Sequence, residues 1–301
     1  MDKLFSSDSD DLCFYSEYSG IPGVDRIELV EKIVAPWLAS LNEDSDCSIQ
    51  VGRGLVLFSQ LQWDSEYFGL PIYKLHGTFG PDCRAALNQL IKELELRHGR
   101  FYIYVDVASE HTETLQVVSS RGFRFVEPRV TFVRDQLSSF DQPRYPVRRA
   151  QLEDIPLLRE VAEHCVNRFD RLHADAYFSE DTANGYLATY VENSVRGFAD
   201  VVLVPDAARV PAKAFLTGRY SLDQCSKIHL QVARLVLGAV HPECAGWFRK
   251  LSSEMTYDMR DVGAEAILMT TQTANRAAIR AMENLGYRIG SVTHVLAYSR
   301  P

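Results

Sequence analysis

The sequence has no C-x-x-C pair, no cluster of histidines, no apolar run approaching the roughly 20 residues of a membrane span, and no excess of positive charge. Its six cysteines (Cys13, Cys47, Cys83, Cys165, Cys225 and Cys244) are widely spaced, a pattern that excludes a zinc ribbon and a disulfide framework and reads as reduced, buried thiols. No metal is expected. A formal charge of -8 argues against broad nucleic-acid binding, which depends on Lys and Arg neutralising phosphates. The start, "MDKLFSSDSDDLC", is acidic and polar, unlike a signal peptide, so a cytoplasmic protein without membrane attachment is expected.

What is present is a chain of 301 residues, 46% hydrophobic and 24% charged, long enough for two cores. The stretch "SSFDQPRYPVRRA" (138–150) reads as a linker because two prolines and polar residues separate two segments that each look complete. The boundary is placed near Pro143, giving domains 1–143 and 144–301. In the second, "PVRRA" reads as a strand and "LEDIPLLREVAEHC" as a helix with Pro156 in its first turn and Leu157, Leu158, Val161, Ala162 and Cys165 on one face. A helix "EDTANGYLATYVENSV" and three strands, "ADVVLV", "AKAFLTGRY" and "ARLVLGAV", follow. Phe248, Leu251, Met255, Met259 and Val262 then mark a helix from Trp247. A strand "AEAILMTTQ", a helix after Asn275 with Ala278, Ile279, Met282 and Leu285 inward, and a strand "SVTHVLAY" end the pattern.

The closing segment has an echo in the first domain. Shifted by 164 positions, residues 101–135 align on it without gaps, matching Gly122 to Gly286, Phe123 to Tyr287 and Arg124 to Arg288. Ala108 and His111 stand where the second copy has Gln272 and Asn275, so a ligand served by those polar residues belongs to the second domain.

One loop carries chemistry. In "VHPECAGWFRKL" (240–251) an apolar strand exits through a proline and one glycine into a helix, the layout that turns free backbone N–H groups toward an anion. Such loops usually hold two or three glycines. Here Gly246 stands alone, and Arg249 and Lys250 supply a local basic pair against the acidic whole.

From "VRRAQLEDIPLLREV" through "VLGAVHPECAGWFRKL" to "TTQTANRAAIRAMENLGY", the second domain resembles the acetyl-CoA-dependent N-acetyltransferase superfamily known as GNAT. The spelling T-Q-x-x-N-x-x-A (Thr271, Gln272, Asn275, Ala278), with "WDSEYFG" (63–69) and "RFDRLHADAYF" (168–178), is similar to the TDP-fucosamine N-acetyltransferases within it. The resemblance implies a two-domain α/β (α+β) fold, a mixed central sheet flanked by helices, with a degenerate N-terminal copy that shapes the acceptor side. It implies acetyl-CoA as cosubstrate and a nucleotide-linked amino sugar as acceptor, with homodimerisation left open.

The same resemblance implies the site. The edge of "VLGAV", with Leu237, Ala239 and Val240, receives the amide-rich pantetheine arm. Ala245, Gly246, Trp247, Phe248, Arg249 and Lys250 face the pyrophosphate, Phe248 being able to donate its N–H at helical angles if its ring turns inward. Asn275 bonds the cofactor arm, or is a plain helix N-cap. Trp63, Asp64, Phe169, His173 and Asp175 are the acceptor candidates. Trp63, Tyr67 and Phe68 also read as first-domain core, and a His173–Asp175 pair can orient or deprotonate an amine. The family often uses a Tyr in the last helix to protonate sulfur; Met282 holds that place, which leaves the general acid and base unassigned. Two alternatives stay open: another amine acceptor, or a non-catalytic CoA-binding scaffold.

Overall fold

A computed structural model gives the structure of residues 9–165, 167–220 and 226–300. Cys225 lies outside the described residues, and the five described cysteines are free. In chain order the elements are α1 (Ser9–Leu12), α2 (Arg26–Leu29), α3 (Ala35–Glu43), β1 (Ser48–Val51), β2 (Gly54–Gln60), α4 (Gln62–Phe68), β3 (Ile72–Phe79), α5 (Cys83–His98), β4 (Phe101–Ala108), α6 (Thr112–Ser120) and β5 (Arg124–Arg134). They continue as β6 (Val147–Arg149), α7 (Ile155–His164), α8 (Arg171–Ala174), α9 (Glu180–Asn193), β7 (Val201–Pro205), β8 (Ala214–Arg219), β9 (Val232–Val240), α10 (Trp247–Asp261), β10 (Ala266–Gln272), α11 (Arg276–Asn284) and β11 (Arg288–Arg300). The chain forms two compact units, one of Met1–Ser19, Gly23–Arg129 and Ser291–Pro301, the other of Gly20–Pro22 and Val130–Gly290.

In the first unit the strands run in the order β1-β2-β3-β4-β11-β5. β3 and β4 are parallel, paired from Ile72↔Tyr102 to Leu75↔Val105, while β4 and β11 are antiparallel from Ala108↔Thr293 to Phe101↔Arg300. α5 buries Ala86, Leu87, Leu90, Ile91 and Leu94, and these meet Val117 and Val118 of α6, Leu75, Val105 and Leu296 in one core. The sequence expectation that Trp63, Tyr67 and Phe68 fill this core is not met. No residue of α4 is buried, and Trp63 is 37% exposed with its ring stacked on Tyr67.

In the second unit the order is β5-β10-β9-β8-β7-β6, helices covering both faces of a mixed sheet. Leu251, Met255 and Met259 of α10 join Ala278, Met282 and Leu285 around α11 in one core, and Leu158, Val161 and Ala162 of α7 meet Val191, Val202, Val204 and Phe215 in another. Each fully buried Leu or Met contributes about 1.5–3 kcal/mol. The polar start of α7 is fastened by Arg148, whose guanidinium grips both oxygens of Asp154 at 2.7 and 2.8 Å. Val262, expected on the inner face of α10, is 43% exposed, because the helix ends at Asp261 and Val262 serves as its C-cap.

The 164-residue echo is expressed in the elements. α6 and α11 coincide at both ends under that shift, β5 and β11 start in register, and Gly122 and Gly286 both take left-handed φ values, 96° and 75°. A second correspondence, offset by 161, links β3 and its exit to β9: Gly77 with Gly238, Pro81 with Pro242, Cys83 with Cys244. In the first unit the strand after α6 contributes residues 124–129, but the sheet neighbour of β4 is β11, which follows α11.

Candidate active site

β9 sets the site geometry. Its parallel pairing with β10 runs from Val232↔Ala266 to Leu235↔Met269 and stops there, so residues 236–240 continue without that partner. On the other side a bulge against β8 falls where Leu216 pairs with Gly238 and Gly218 with Leu235. Three steps on β9 oppose two on β8, which bends the strand and re-aims its backbone. The result is a cleft of about 140 Å³ whose lining includes Val236, Leu237, Gly238, Ala239, Phe248, Thr271, Gln272 and Asn275. Gly238 keeps it open: a Cβ there would lie 3.0 Å from both Leu216 Cδ1 and Phe248 Cε2.

Beyond Val240 the chain turns through Pro242–Cys244, and Gly246 starts α10 with φ of 85°. A Cβ on Gly246 would meet nothing within 4 Å, so the glycine is there for its left-handed backbone and not for close approach. Gly246 has no side chain to cap α10, whose first N–H groups lack intrahelical acceptors. Ala245 and Arg249 are exposed, and Lys250 holds its ammonium 4.7 Å from the Trp247 ring centroid. Trp247 itself is buried in the core, leaving only its backbone for a ligand. Phe248 packs against the same core from the cleft wall, the inward ring that its helical N–H requires. Val240 packs on the core and is absent from the cleft lining, whereas Leu237 and Ala239 are part of it. The Leu237 N–H is already taken, donating to Thr217 Oγ1 at 2.9 Å.

Asn275 is the helix N-cap that one sequence reading expected, and it also faces the cleft. Its Oδ1 accepts from Ala278 N as the cap of α11, its Nδ2 donates to Thr271 Oγ1 at 3.0 Å, and the residue lines the cleft. Opposite it, Asn167 donates to Gln272 Oε1 at 2.5 Å and Asp170 completes that wall. Among the described residues Asp170 is the single titratable one of the lining.

The expected His173–Asp175 pair is corrected by the helical geometry of α8. His173 Nδ1 lies 2.7 Å from Asp170 Oδ2 and Nε2 lies 2.9 Å from Asn184 Oδ1. Residues three apart share a helix face, whereas Asp175, two residues on and past the helix end, is buried and accepts from Tyr177 N. With an oxygen on each ring nitrogen, the imidazolium form satisfies both contacts. The Asp170 hydrogen bond accordingly raises the His173 pKa above its ordinary value, against the opposing effect of burial. Asp170 Oδ1 meanwhile accepts from Leu172 N and His173 N as the cap of α8. Phe169, 54% exposed, is outside the lining. Trp63 and Asp64 belong to α4 of the first unit. The sequence reading missed Asp170 and Asn167, although the D-x-x-H spacing within "RFDRLHADAYF" carried the signal.

Among the described residues no phenol lines the cleft. Met282 is fully buried, and Tyr287 hydrogen-bonds Thr256 Oγ1 at 2.7 Å with burial pushing its pKa far above the ordinary tyrosine value.

The first unit carries the counterpart cleft, and its own N-terminal segment enters it. A cavity of about 1250 Å³ is lined by Thr78, Phe79, Pro81, Cys83, His111 and Thr114 together with Asp11, Leu12 and Tyr15. Tyr15 lies 5.2 Å from the Phe79 ring and 4.4 Å from that of His111, whose Nε2 contacts the Asp11 carbonyl at 2.8 Å. A Cβ on Gly77, the counterpart of Gly238, would collide with Tyr15 Cε1 at 2.8 Å.

No protein-family model matches the chain, and no curated protein matches it in sequence. In three dimensions it is similar to a GCN5-related N-acetyltransferase from Sphaerobacter thermophilus, with a TM-score of 0.61 and 11% identity over 97% of this chain and 92% of that one. A GCN5-related N-acetyltransferase from Kribbella flavida gives 0.53 and 16% over 88% and 95%. A tandem GNAT protein from the clavulanic acid biosynthesis pathway gives 0.53 and 11% over 97% and 93%. At these identities the likeness is one of fold.

Proposed function

We propose that the chain is an acetyl-CoA-dependent N-acetyltransferase whose reaction cleft lies in the second unit. The observation that carries this reading is the stretch 236–240 of β9, paired with β8 on one side and free of β10 on the other, which leads through the Pro242–Cys244 turn into the N-terminus of α10, on a fold shared with acetyltransferases. Exposed strand edge offers amide partners to a pantetheine arm, and helix N–H groups with Arg249 and Lys250 offer donors to a pyrophosphate. Glu243, the acidic residue of this loop, is paired with Lys213 at 2.9 Å, which limits its repulsion of an anion.

Within that frame the chemistry is short. The lone pair of a neutral amine attacks the thioester carbonyl carbon; the C–N bond forms, the C–S bond breaks, and sulfur leaves with the bonding pair and takes up one proton while nitrogen loses one. A thiol near pKa 8.5 is a fair leaving group, so positioning supplies much of the rate. The absence of a phenol in the lining is compatible with this route.

The finer acceptor reading, a nucleotide-linked amino sugar, rests on the spellings "WDSEYFG" and "RFDRLHADAYF", the second of which supplies Asp170 and His173. Among the described residues the lining holds no cation, so a diphosphate would have to lie outside it, with the amine end alone entering. The test is thiol release from acetyl-CoA with a panel of TDP- and UDP-amino sugars, free amino sugars and simple amines. Turnover with any amine supports the enzyme; CoA binding without turnover on the whole panel favours a sensing or scaffolding role.

A further inference from the structure

We propose that Asp170 anchors the acceptor's amino group in the cleft, and that His173, clamped between Asp170 and Asn184, is the positioning residue that fixes the carboxylate; this rests on the acetyltransferase reading. Three observations converge. Among the described residues Asp170 is the one charged member of a lining otherwise made of apolar side chains, two threonines and three amides. A lone carboxylate in such surroundings favours a cationic or N–H-rich ligand group over a neutral or anionic one.

The second observation is the accounting of lone pairs. Oδ1 accepts two backbone N–H groups, at 2.9 and 3.2 Å, while Oδ2 accepts only from His173 Nδ1, at 2.7 Å. Each carboxylate oxygen has two acceptor sites, so Oδ2 keeps one for a ligand N–H. The third is the backing. The His173 side chain is 4% exposed, and Asn184 Oδ1 holds its far nitrogen, so Asp170 cannot swing away. A carboxylate already in contact with His173 Nδ1 can accept an N–H without needing to take the proton, which suits a residue that orients a nucleophile.

The experiment reads amine recognition directly, without acetyl-CoA. Three pairs are titrated calorimetrically into the full chain: glucosamine and glucose, putrescine and 1,4-butanediol, tyramine and its alcohol counterpart. In at least one pair the amine is expected to bind tenfold or more tightly than the hydroxyl partner. Asp170→Asn keeps an N-capping side chain and, measured above pH 7 where the charge of His173 contributes least, is expected to change the melting temperature little while erasing that preference. Asp170→Ser, also a capping residue, serves if the Asn variant fails to fold. His173→Gln, which retains a donor toward Asp170, should keep more of the preference than His173→Leu, a difference that loss of packing alone does not produce. No amine preference in any pair, or a preference that survives loss of the carboxylate, overturns the proposal. Failure of the acetyltransferase reading has a separate signature: no acetyl-CoA binding and no thiol release, whatever the amine titrations give.

Discussion

In the proposed reading Arg249 and Lys250 supply, with side-chain charge, what glycine-rich loops achieve by backbone approach. If they help hold the pyrophosphate, Arg249→Glu with Lys250→Glu should weaken CoA binding at least tenfold, since a charge-assisted hydrogen bond contributes about 1.5–3 kcal/mol. Unchanged affinity by calorimetry would remove the anion from residues 245–250. Met282 gives a second residue-level prediction. Because it is fully buried among Ala278, Leu285 and Tyr287, Met282→Tyr should overpack the core and lower stability by about 1–3 kcal/mol. If the proposed acetyl transfer holds, its effect on turnover should stay within tenfold, or about 1.4 kcal/mol, because that reaction already runs without a phenol at this position. Melts and steady-state rates on the same preparation check both, and a hundredfold gain over an inactive parent would favour the scaffold reading. Asp170 was legible in the sequence only through helix geometry: His173 has carboxylates at i-3 and i+2, and α8 brings the first onto its face.

At the scale of elements, α8 makes the local pH behaviour. His173 has a folded-state pKa raised above its unfolded value by Asp170, so its contribution is present in full below the unfolded value near 6.5 and is lost as pH rises through the raised one. Asp170 and the more distant Glu180 are the charged groups acting on it, with Asn184 as the neutral partner. The melting-temperature advantage of the native chain over His173→Leu should therefore be largest near pH 5 and shrink above pH 7; an advantage that grows with pH would contradict the assignment. The paired clefts make another element-scale prediction. Tyr15 and the Asp11 carbonyl engage His111 and crowd Gly77, the counterparts of Asn275 and Gly238, so acetyl-CoA should titrate with one site per chain. Two equivalent sites would show that the N-terminal segment yields to the cofactor. Strands β6 to β10 and helices α7, α10 and α11 were legible because apolar spacing at periods of 2 and 3.6 is a local property. The splay of β9 was not, since where a parallel partner lets go depends on register between segments about 30 residues apart.

For the whole molecule, the informative feature is the membership of residues 291–300. Periodicity identified β11 as a strand but could not say which neighbour it would take, and repeat logic alone would have kept it with α11. It pairs instead with β4, and Leu296 enters the core built by α5 and α6. Deleting residues 291–301 should thus leave the second unit's apolar clusters intact in composition while removing a central strand from the first, exposing β4 as an open edge. Hydrogen exchange resolved by peptide should report the loss of protection in 101–108 ahead of 266–272; equal loss in both would argue that the units melt together.

On the ribosome this arrangement reverses the usual order of completion. Residues 48–108 emerge with β1 to β4, whereas β11, the strand that pairs with β4, is translated only after α11. At about 5–20 residues per second, the interval from β4 to β11 lasts roughly 10–40 seconds. Through that time β4 presents unsatisfied N–H and C=O groups along one side. The sheet begun by β1 to β4 thus depends on a strand that reaches it only after the whole of the second unit has been synthesised.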